Sequence, residues 1–215
     1  MKRITLFFGH YGSGKTNIAV NYALYLKEQY EKVAIADIDI VNPYFRTKDS
    51  EAELTAAGIK VISLPFANTN VDLPALPPEV YGLVQDKSMY AVMDIGGDDR
   101  GAYALGRYAP YILEENNYEA VFVVNFYRPL TQTATEAFEV LREIENACSI
   151  KMTAIVNNSN IGSETSENDI IKTLKKAEDL SKIAGIPVLF TCAKKELSNN
   201  SANKFFPLAL QKKVF

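Results

Sequence analysis

The stretch ITLFFGHYGSGKTNIAVNYALYL, residues 4–26, decides the fold of this chain. It opens with a run of apolar and β-branched residues (4–8), passes through a glycine-rich turn, and ends in a segment with apolar side chains at helical spacing. The turn, residues 9–16, matches the pattern G-x-x-x-x-G-K-[ST] in full. A strand that enters such a turn and a helix that leaves it are typical of the start of an α/β sheet.

The remaining chain repeats this alternation of strand-like and helix-like segments. Most of the apolar runs do not alternate with polar residues, which is typical of strands buried on both faces of a parallel sheet. The predicted strands span 4–8, 33–38, 59–64, 90–94, 120–124, 152–156 and 187–190, and the predicted helices span 15–29, 101–115, 131–147 and 164–184. We therefore predict an α/β fold of one domain over residues 1–215, with a doubly wound, mostly parallel seven-stranded sheet and helices on both faces.

One segment breaks this rhythm. Residues 68–78 are rich in proline and asparagine, and only a short helix at about 78–85 follows before the next strand. Long irregular connections in compact domains are often functional. A substrate-contacting loop and a plain crossover both remain open for this segment.

The glycine-rich turn has the composition of a phosphate-binding loop. Its glycines let consecutive N–H groups turn inward toward phosphate oxygens, and the positive end of the following helix points at the same anion. Lys15 would reach the β- and γ-phosphates, and the Thr16 hydroxyl would face Mg²⁺. The predicted nucleotide-binding residues here are Gly9, Tyr11, Gly12, Ser13, Gly14, Lys15, Thr16 and Asn17.

Acidic residues follow two of the predicted strands. The second strand ends in Asp37 and Asp39, and the fourth ends in Asp94, with Gly97 shortly after it. Ligands of doubly wound folds bind beyond the carboxyl ends of the strands. We expect Asp94 to hold Mg²⁺ through a water and the Gly97 N–H to meet the γ-phosphate, although a carboxylate at a strand end can also cap the next helix.

The order of these motifs resembles the MinD/ParA group of the deviant-Walker class, which includes the nitrogenase iron protein and the CobQ/CobB-like nucleotide-binding domains. The resemblance covers roughly residues 3–192 and rests on GHYGSGKT, DIDIVNP and DIGGDD. It implies ATP and Mg²⁺ as cofactors, with Thr16, Asp39 and Asp94 around the metal and with Lys15 and Asp39 as catalytic residues. Asn157 matches the asparagine that pairs with adenine in MinD-like proteins, and a simple turn is the alternative.

The chain departs from this family pattern at two points. His10, its only histidine, occupies the place of the family's signature lysine, and an imidazole does not replace a fixed ammonium on a flexible stem. The cluster cysteines of the iron protein also have no counterpart here, because Cys148 and Cys192 stand far apart. The guanine-reading pattern [NT]-K-x-D is absent as well, which disfavours a GTPase.

Composition restricts the partners. The net charge of −3 gives no basic surplus for a nucleic-acid backbone, and no run of 18 apolar residues is present to span a membrane. We expect a cytoplasmic protein with no nucleic-acid or membrane partner. Pro207 interrupts any terminal amphipathic helix, so we expect the last apolar side chains to pack on the edge or flank of the sheet; they are Phe205, Phe206, Leu208 and Leu210.

The leading hypothesis is an ATP-binding protein, a slow Mg²⁺-dependent ATPase that acts as a nucleotide switch for a protein partner, a complex or a homodimer. The alternative is a CobQ/CobB-like or dethiobiotin-synthetase-like enzyme that uses ATP to activate a small carboxylate. A GTPase and a nucleotide-binding scaffold without hydrolysis are weaker possibilities.

Overall fold

The computed structural model describes residues 1–39, 50–62, 78–96, 105–106 and 108–210. Its strands are β1 (Ile4–Phe8), β2 (Val33–Ile38), β3 (Lys60–Ile62), β4 (Tyr90–Ile95), β5 (Tyr118–Val124), β6 (Ala154–Asn157), β7 (Val188–Lys194) and β8 (Phe206–Leu208). Its helices are α1 (Lys15–Lys27), α2 (Glu51–Ala56), α3 (Pro78–Gln85), α4 (Ala109–Glu115), α5 (Ala134–Cys148), α6 (Glu167–Ala184) and α7 (Lys195–Asn200), with a short 3₁₀ helix at Gly162–Glu164.

All the strand pairs are parallel, in the order β3-β2-β4-β1-β5-β6-β7-β8. β1 lies inside the sheet between β4 and β5. Strands β2 to β4 lie on one side of β1 and strands β5 to β8 on the other, so the strand order reverses direction here. Ligands of doubly wound folds bind beyond the strand ends at this switch point. The predicted α/β fold is confirmed, with eight strands in the described residues where seven were predicted.

Alternate side chains of the central strands enter two separate cores, one on each face of the sheet. Phe7, Ile35 and Val92 pack in the core shared with α1 and α2. Their neighbours Leu6 and Met93 pack in the core covered by α3, α4, α5 and α6. Because successive residues of a strand point to opposite faces, the α1 side of the sheet also receives every second side chain at the strand ends.

Capping residues set where two of the helices begin. Thr133 caps α5 in a reciprocal pair with Glu136, and Ser166 caps α6 in the same way with Asp169. A capping residue lies just outside its helix, so the helices begin at residues 134 and 167. Each start is three residues later than predicted. Of the predicted helix over 101–115, residues 105–106 and 109–115 are helical, and 101–104 and 107 lie outside the described residues, as do 63–64 of the third strand.

A buried arginine holds together the end of the sheet opposite the strand exits. Arg3, which is 4% exposed, donates to the carbonyl oxygens of Leu83 at 2.9 Å, Val84 at 3.0 Å and Met89 at 3.0 Å, and it also pairs with Glu115. The hydrogen bonds from Arg3 hold the pKa of Glu115 below its usual range. β1 is thereby tied to α3, to the start of β4 and to the end of α4.

The C-terminal apolar residues form the additional edge strand, β8. Phe206 stacks on Phe190 of β7 with ring centroids 4.5 Å apart, and Phe205 and Leu208 are buried. Leu210 is 59% exposed, so its predicted packing is wrong. An edge position suits Pro207, which lacks an N–H for a further partner. None of the described helices combines the length and apolar character needed to cross a membrane.

The side chain of Asn21 links the segment after β8 to helix α1. Asn21 of α1 accepts a hydrogen bond from the Ala209 N–H at 2.8 Å and donates to the Ala209 carbonyl at 2.9 Å. Its amide also donates to the Asn17 carbonyl, one helical turn earlier, at 2.7 Å. The chain just after β8 is thus attached to the first turns of α1.

Candidate functional site

The loop at residues 9–16 needs glycine at two positions because neighbouring groups lie too close for any side chain. A Cβ on Gly9 would lie 2.3 Å from the Val123 carbonyl oxygen, and one on Gly14 would lie 2.4 Å from the Asn158 amide nitrogen. Gly14 also has a left-handed backbone (φ 86°), which L side chains rarely adopt. The glycine pattern therefore reflects contact of the loop with the ends of two other strands.

Helix α1 starts directly from this loop with its N-terminus open. Gly14 precedes the helix, no described side chain caps its first N–H groups, and no acidic residue lies in its first turn. The Ser13 hydroxyl is buried and has no hydrogen-bond partner in the part of the chain that the structure describes. Uncapped N–H groups and the positive end of a helix dipole form an anion-binding site. Of the other predicted loop residues, Tyr11 is 60% exposed and Asn17 is half-buried.

The two polar residues that begin α1 meet the carboxylates at the ends of β2 and β4. The Lys15 ammonium lies 3.9 Å from the nearer Asp39 carboxylate oxygen, and both side chains are buried. The Thr16 hydroxyl donates to the Asp94 carboxylate at 2.6 Å. Asp37, opposite Asp94 in the sheet, accepts a hydrogen bond from the Asp39 N–H at 3.1 Å. The structure thus brings together the residues predicted to handle phosphate and metal.

Asp94 is fully buried, and one of its carboxylate oxygens has no hydrogen-bond partner among the described residues. Burial, reinforced by the negative charge of Asp37, raises the pKa of Asp94 to about 8, although the Lys15 charge and the Thr16 hydrogen bond act in the opposite direction. This raised pKa favours the protonated form of the carboxyl group when no cation is bound. An added positive charge at the unpartnered oxygen would favour its ionised form.

The oxygen donors here fit Mg²⁺. Magnesium prefers hard oxygen ligands, and in nucleotide sites it takes one or two from the protein and the rest from phosphates and water. The Thr16 hydroxyl and the unpartnered Asp94 oxygen supply donors of this kind, with Asp39 beside them. Within the described part of the chain, no group of three or more histidine, cysteine or acidic side chains is arranged to hold a metal by itself. Gly97, predicted to contact the γ-phosphate, lies outside the described residues.

Asn157 is in a different environment from the one expected of a base-reading residue. Its side chain is fully buried, its amide nitrogen donates to the Thr173 hydroxyl at 2.9 Å, and its oxygen accepts from the Ser159 hydroxyl at 2.6 Å. These contacts hold the amide inside the fold, on the side of α6. Adenine recognition by Asn157 stays a prediction, and it would require the residue to exchange these partners.

The next residue, which the sequence reasoning did not single out, contacts the phosphate loop. The Asn158 amide nitrogen donates to the Ser13 carbonyl at 2.7 Å, and Asn158 is 5% exposed. Its backbone N–H donates to the Val124 carbonyl at 2.8 Å, which fixes it beside β5. The signal for it was strand alternation, because Asn158 shares its side of β6 with Val156, which packs in the α1 core.

Arg128 is a second residue that sequence reasoning missed. It follows β5, and its Nε donates to the Gly12 carbonyl at 3.3 Å. His10, in the same loop, is half-buried, and its Nδ1 lies 3.1 Å from the Tyr11 carbonyl oxygen. No local pattern marks Arg128, since 116 residues separate it from Gly12 along the chain.

The parallel sheet, the glycine loop after β1, the buried Lys15 and the Thr16–Asp94 contact are the arrangement that is typical of a P-loop α/β fold. Solved structures bear out the fold. The cell division protein FtsY of Thermotoga maritima is similar at a TM-score of 0.59 and 15% identity, over 90% of this chain and 62% of that one. The signal recognition particle receptor FtsY of Elizabethkingia anophelis is similar at 0.56 and 16%, over 94% of this chain and 62% of that one.

A third similar structure is the signal recognition particle 54 kDa protein of Aeropyrum pernix in complex with GDP, with a TM-score of 0.55 and 17% identity over 88% of this chain and 41% of that one. This chain thus spans between 41% and 62% of the length of these proteins. No protein-family model and no curated protein sequence matches the chain. The similarity establishes the fold, and the closer resemblance to MinD and ParA stays a prediction.

Proposed function

We propose that this chain binds a nucleoside triphosphate together with Mg²⁺ at residues 9–16 and hydrolyses it slowly, as a switch that acts on a protein partner or on a second copy of itself. The observation that carries the proposal is the buried contact of Lys15 and Thr16 with Asp39 and Asp94 beneath an uncapped helix N-terminus. A buried lysine beside open N–H groups is suited to a multiply charged anion.

Each of these residues has a distinct role in the proposal. Lys15 and the N–H groups of the first turn of α1 hold the phosphates. Thr16 and Asp94 hold Mg²⁺, which neutralises phosphate charge when it is bound. Asp39 orients the attacking water. At the position where the family has a lysine, the loop has His10, a half-buried imidazole. This difference supports slow turnover.

The switch proposal rests on where the two acidic strand ends lie. Asp39 directly follows β2 and Asp94 is the second-last residue of β4, so the chain leaves both strands from beside the phosphate site. In nucleotide switches, segments that follow such residues change with the presence of the γ-phosphate. A protein partner or homodimer that contacts those segments would then respond to the bound nucleotide.

For the base we propose adenine. The support is the family resemblance and the absence of the sequence [NT]-K-x-D. Guanine is the second candidate, because the Asn157 amide is engaged inside the fold and two proteins with a similar fold were solved with GDP. The carboxylate-activating enzyme has no such support, since residues 68–77, expected to line its substrate pocket, lie outside the described residues.

Isothermal titration calorimetry with ATP and GTP in the presence of Mg²⁺ tests the proposal. We expect micromolar or tighter binding of ATP, weaker binding of GTP, and a loss of about 100-fold or more for Lys15→Ala, because a buried charge-assisted contact to phosphate is removed. Lys182→Ala, which removes an exposed ammonium from α6, is the matched control and should bind normally. Near wild-type affinity in Lys15→Ala contradicts the site, and equal or tighter GTP binding contradicts the base.

The same proteins separate binding from hydrolysis. Asp39→Asn should bind ATP and hydrolyse it poorly in a phosphate-release assay, because the carboxylate is expected to act on water and metal rather than on the base. Full turnover in Asp39→Asn would show that the water-orienting role is wrong while leaving the binding site in place.

A further inference from the structure

Arg128 extends across the outer side of the phosphate loop. Its side-chain atoms Nε, Cδ and Cγ lie 3.5, 3.6 and 4.0 Å from the place of a Cβ on Gly12, and Nε donates to the Gly12 carbonyl. The stem of the arginine therefore packs in van der Waals range of the loop at Gly12.

The guanidinium has no carboxylate partner in the described part of the chain. The other two described arginines each pair with a glutamate, Arg3 with Glu115 and Arg142 with Glu145. Apart from the single bond from Nε, Arg128 makes no hydrogen bond or ion pair through its terminal nitrogens to any described residue. A guanidinium offers five N–H donors in a fork that matches phosphate oxygens, so most of its donors are available for an anion.

The turn that carries Arg128 is fixed by backbone and side-chain hydrogen bonds. The Arg128 N–H donates to the Asn125 carbonyl at 3.1 Å, and the Thr131 hydroxyl donates to the same carbonyl at 2.8 Å. The Asn125 side-chain oxygen also accepts from the Tyr127 N–H at 3.0 Å. The backbone under Arg128 is thus held at the end of β5, directly beside β1.

A second route connects this turn to the phosphate loop through three asparagines. The Asn125 amide donates to the Asn160 carbonyl at 3.1 Å, and the Asn160 amide donates to the Asn158 carbonyl at 2.8 Å. The Asn158 amide then donates to the Ser13 carbonyl. The position of Arg128 relative to the loop is therefore built into the strand ends and does not depend only on its own contact with Gly12.

From this geometry we propose that Arg128 is a phosphate-binding residue that contributes a positive charge to the bound triphosphate from the open side of the loop. The proposal rests on the proposed nucleotide function. Lys15 approaches the site from the buried side, and the loop itself carries no other fixed charge, since His10 is an imidazole. Arg128 supplies an always-charged group at the exposed side of the same loop, in the same chain.

Two substitutions separate this role from a purely structural one. Arg128→Lys keeps a charge and loses the fork, whereas Arg128→Gln keeps an amide donor for the Gly12 carbonyl and loses the charge. Arg142→Gln removes the same charge from α5, on the other face of the sheet, and is the matched control. Arg128 is exposed, so all these variants are expected to fold, which thermal melting checks.

Affinities are measured by calorimetry for the mono-, di- and triphosphate of the preferred nucleoside at low and high salt. For Arg128→Gln we expect a loss of about tenfold for the triphosphate, a smaller loss for the diphosphate and no loss for the monophosphate, with a weaker salt dependence than in the wild type. Arg128→Lys should recover part of the lost affinity, and Arg142→Gln should bind as the wild type does.

Equal losses for all three nucleotides, or recovery by glutamine but not by lysine, would assign Arg128 to holding the Gly12 carbonyl and would overturn the proposal. Wild-type binding by Arg128→Gln alongside lost binding in Lys15→Ala would also overturn it, while leaving the nucleotide site intact. A wild-type protein that binds no nucleotide removes both the proposed function and this inference.

Discussion

Replacing Asp94 by asparagine should make the metal-free, nucleotide-free protein more stable at alkaline pH. The burial that raises the pKa of Asp94 from its ordinary 3.8 to about 8 makes its ionised form costly in the folded protein. Because the folded protein holds this proton more tightly than the unfolded chain does, the corresponding stabilisation is complete below pH 3.8 and is lost as the pH rises to about 8.

The magnitude follows from the proton difference between the two states. Where Asp94 is protonated in the folded protein and ionised in the unfolded chain, the free energy of unfolding falls by about 1.36 kcal/mol per pH unit. From pH 6 to pH 8, with the curvature near the folded pKa, the wild type should lose about 2 kcal/mol through this group. An asparagine can still accept the Thr16 hydrogen bond and does not ionise, so Asp94→Asn should not show this loss.

The assay is urea unfolding followed by far-ultraviolet circular dichroism at pH 6, 7 and 8 with EDTA. We expect the stability advantage of Asp94→Asn over the wild type to increase by about 2 kcal/mol across this range, since groups distant from Asp94 titrate alike in both proteins. Asp86→Asn is the control, because hydrogen bonds from Ser88 lower the pKa of Asp86 and leave it ionised throughout. An Asp94→Asn curve parallel to the wild type would refute the reasoning.

Two further predictions concern the loop and the C-terminal edge of the sheet. Asn158→Ala removes the hydrogen bond to the Ser13 carbonyl, and we expect nucleotide affinity to fall about tenfold in calorimetry; unchanged affinity would show that the loop keeps its shape without it. Removal of residues 204–215 deletes the strand whose Phe206 stacks on Phe190, and we expect the melting temperature to fall by ~5–10 °C in scanning calorimetry. A truncated protein that melts like the full chain but no longer sediments with vesicles would instead favour a membrane role.

The parts of the site that the sequence predicted are those encoded within a few residues of one another. The loop at 9–16 carries its own glycines, lysine and threonine, and Asp39 and Asp94 directly follow apolar runs. Parallel strands bring their carboxyl ends to one edge of the sheet, so these positions meet without any further information. The same logic predicted the α/β fold, because uninterrupted apolar strands require helices on both faces.

The parts that escaped depend on which way a side chain points or on distant contacts. In the asparagine cluster after β6, residue 157 faces Thr173 of α6 and residue 158 faces the phosphate loop, and only strand alternation separates the two. The position of Arg128 depends on the loop 116 residues earlier. β8 is short and contains a proline, so it has too few residues for a strand pattern to be visible.

The hydrogen bonds between Asn21 and Ala209 connect the segment after β8 mechanically to helix α1, which begins at the candidate site. A pull on the residues after Leu210 would pass through Ala209 into Asn21, and from there along α1 toward its first turn. Met1 and Lys2 lie at the start of β1, where Arg3 anchors the strand at the end opposite the loop. A fluorophore or tether attached after residue 210 is therefore expected to sense the loading of the loop through Asn21.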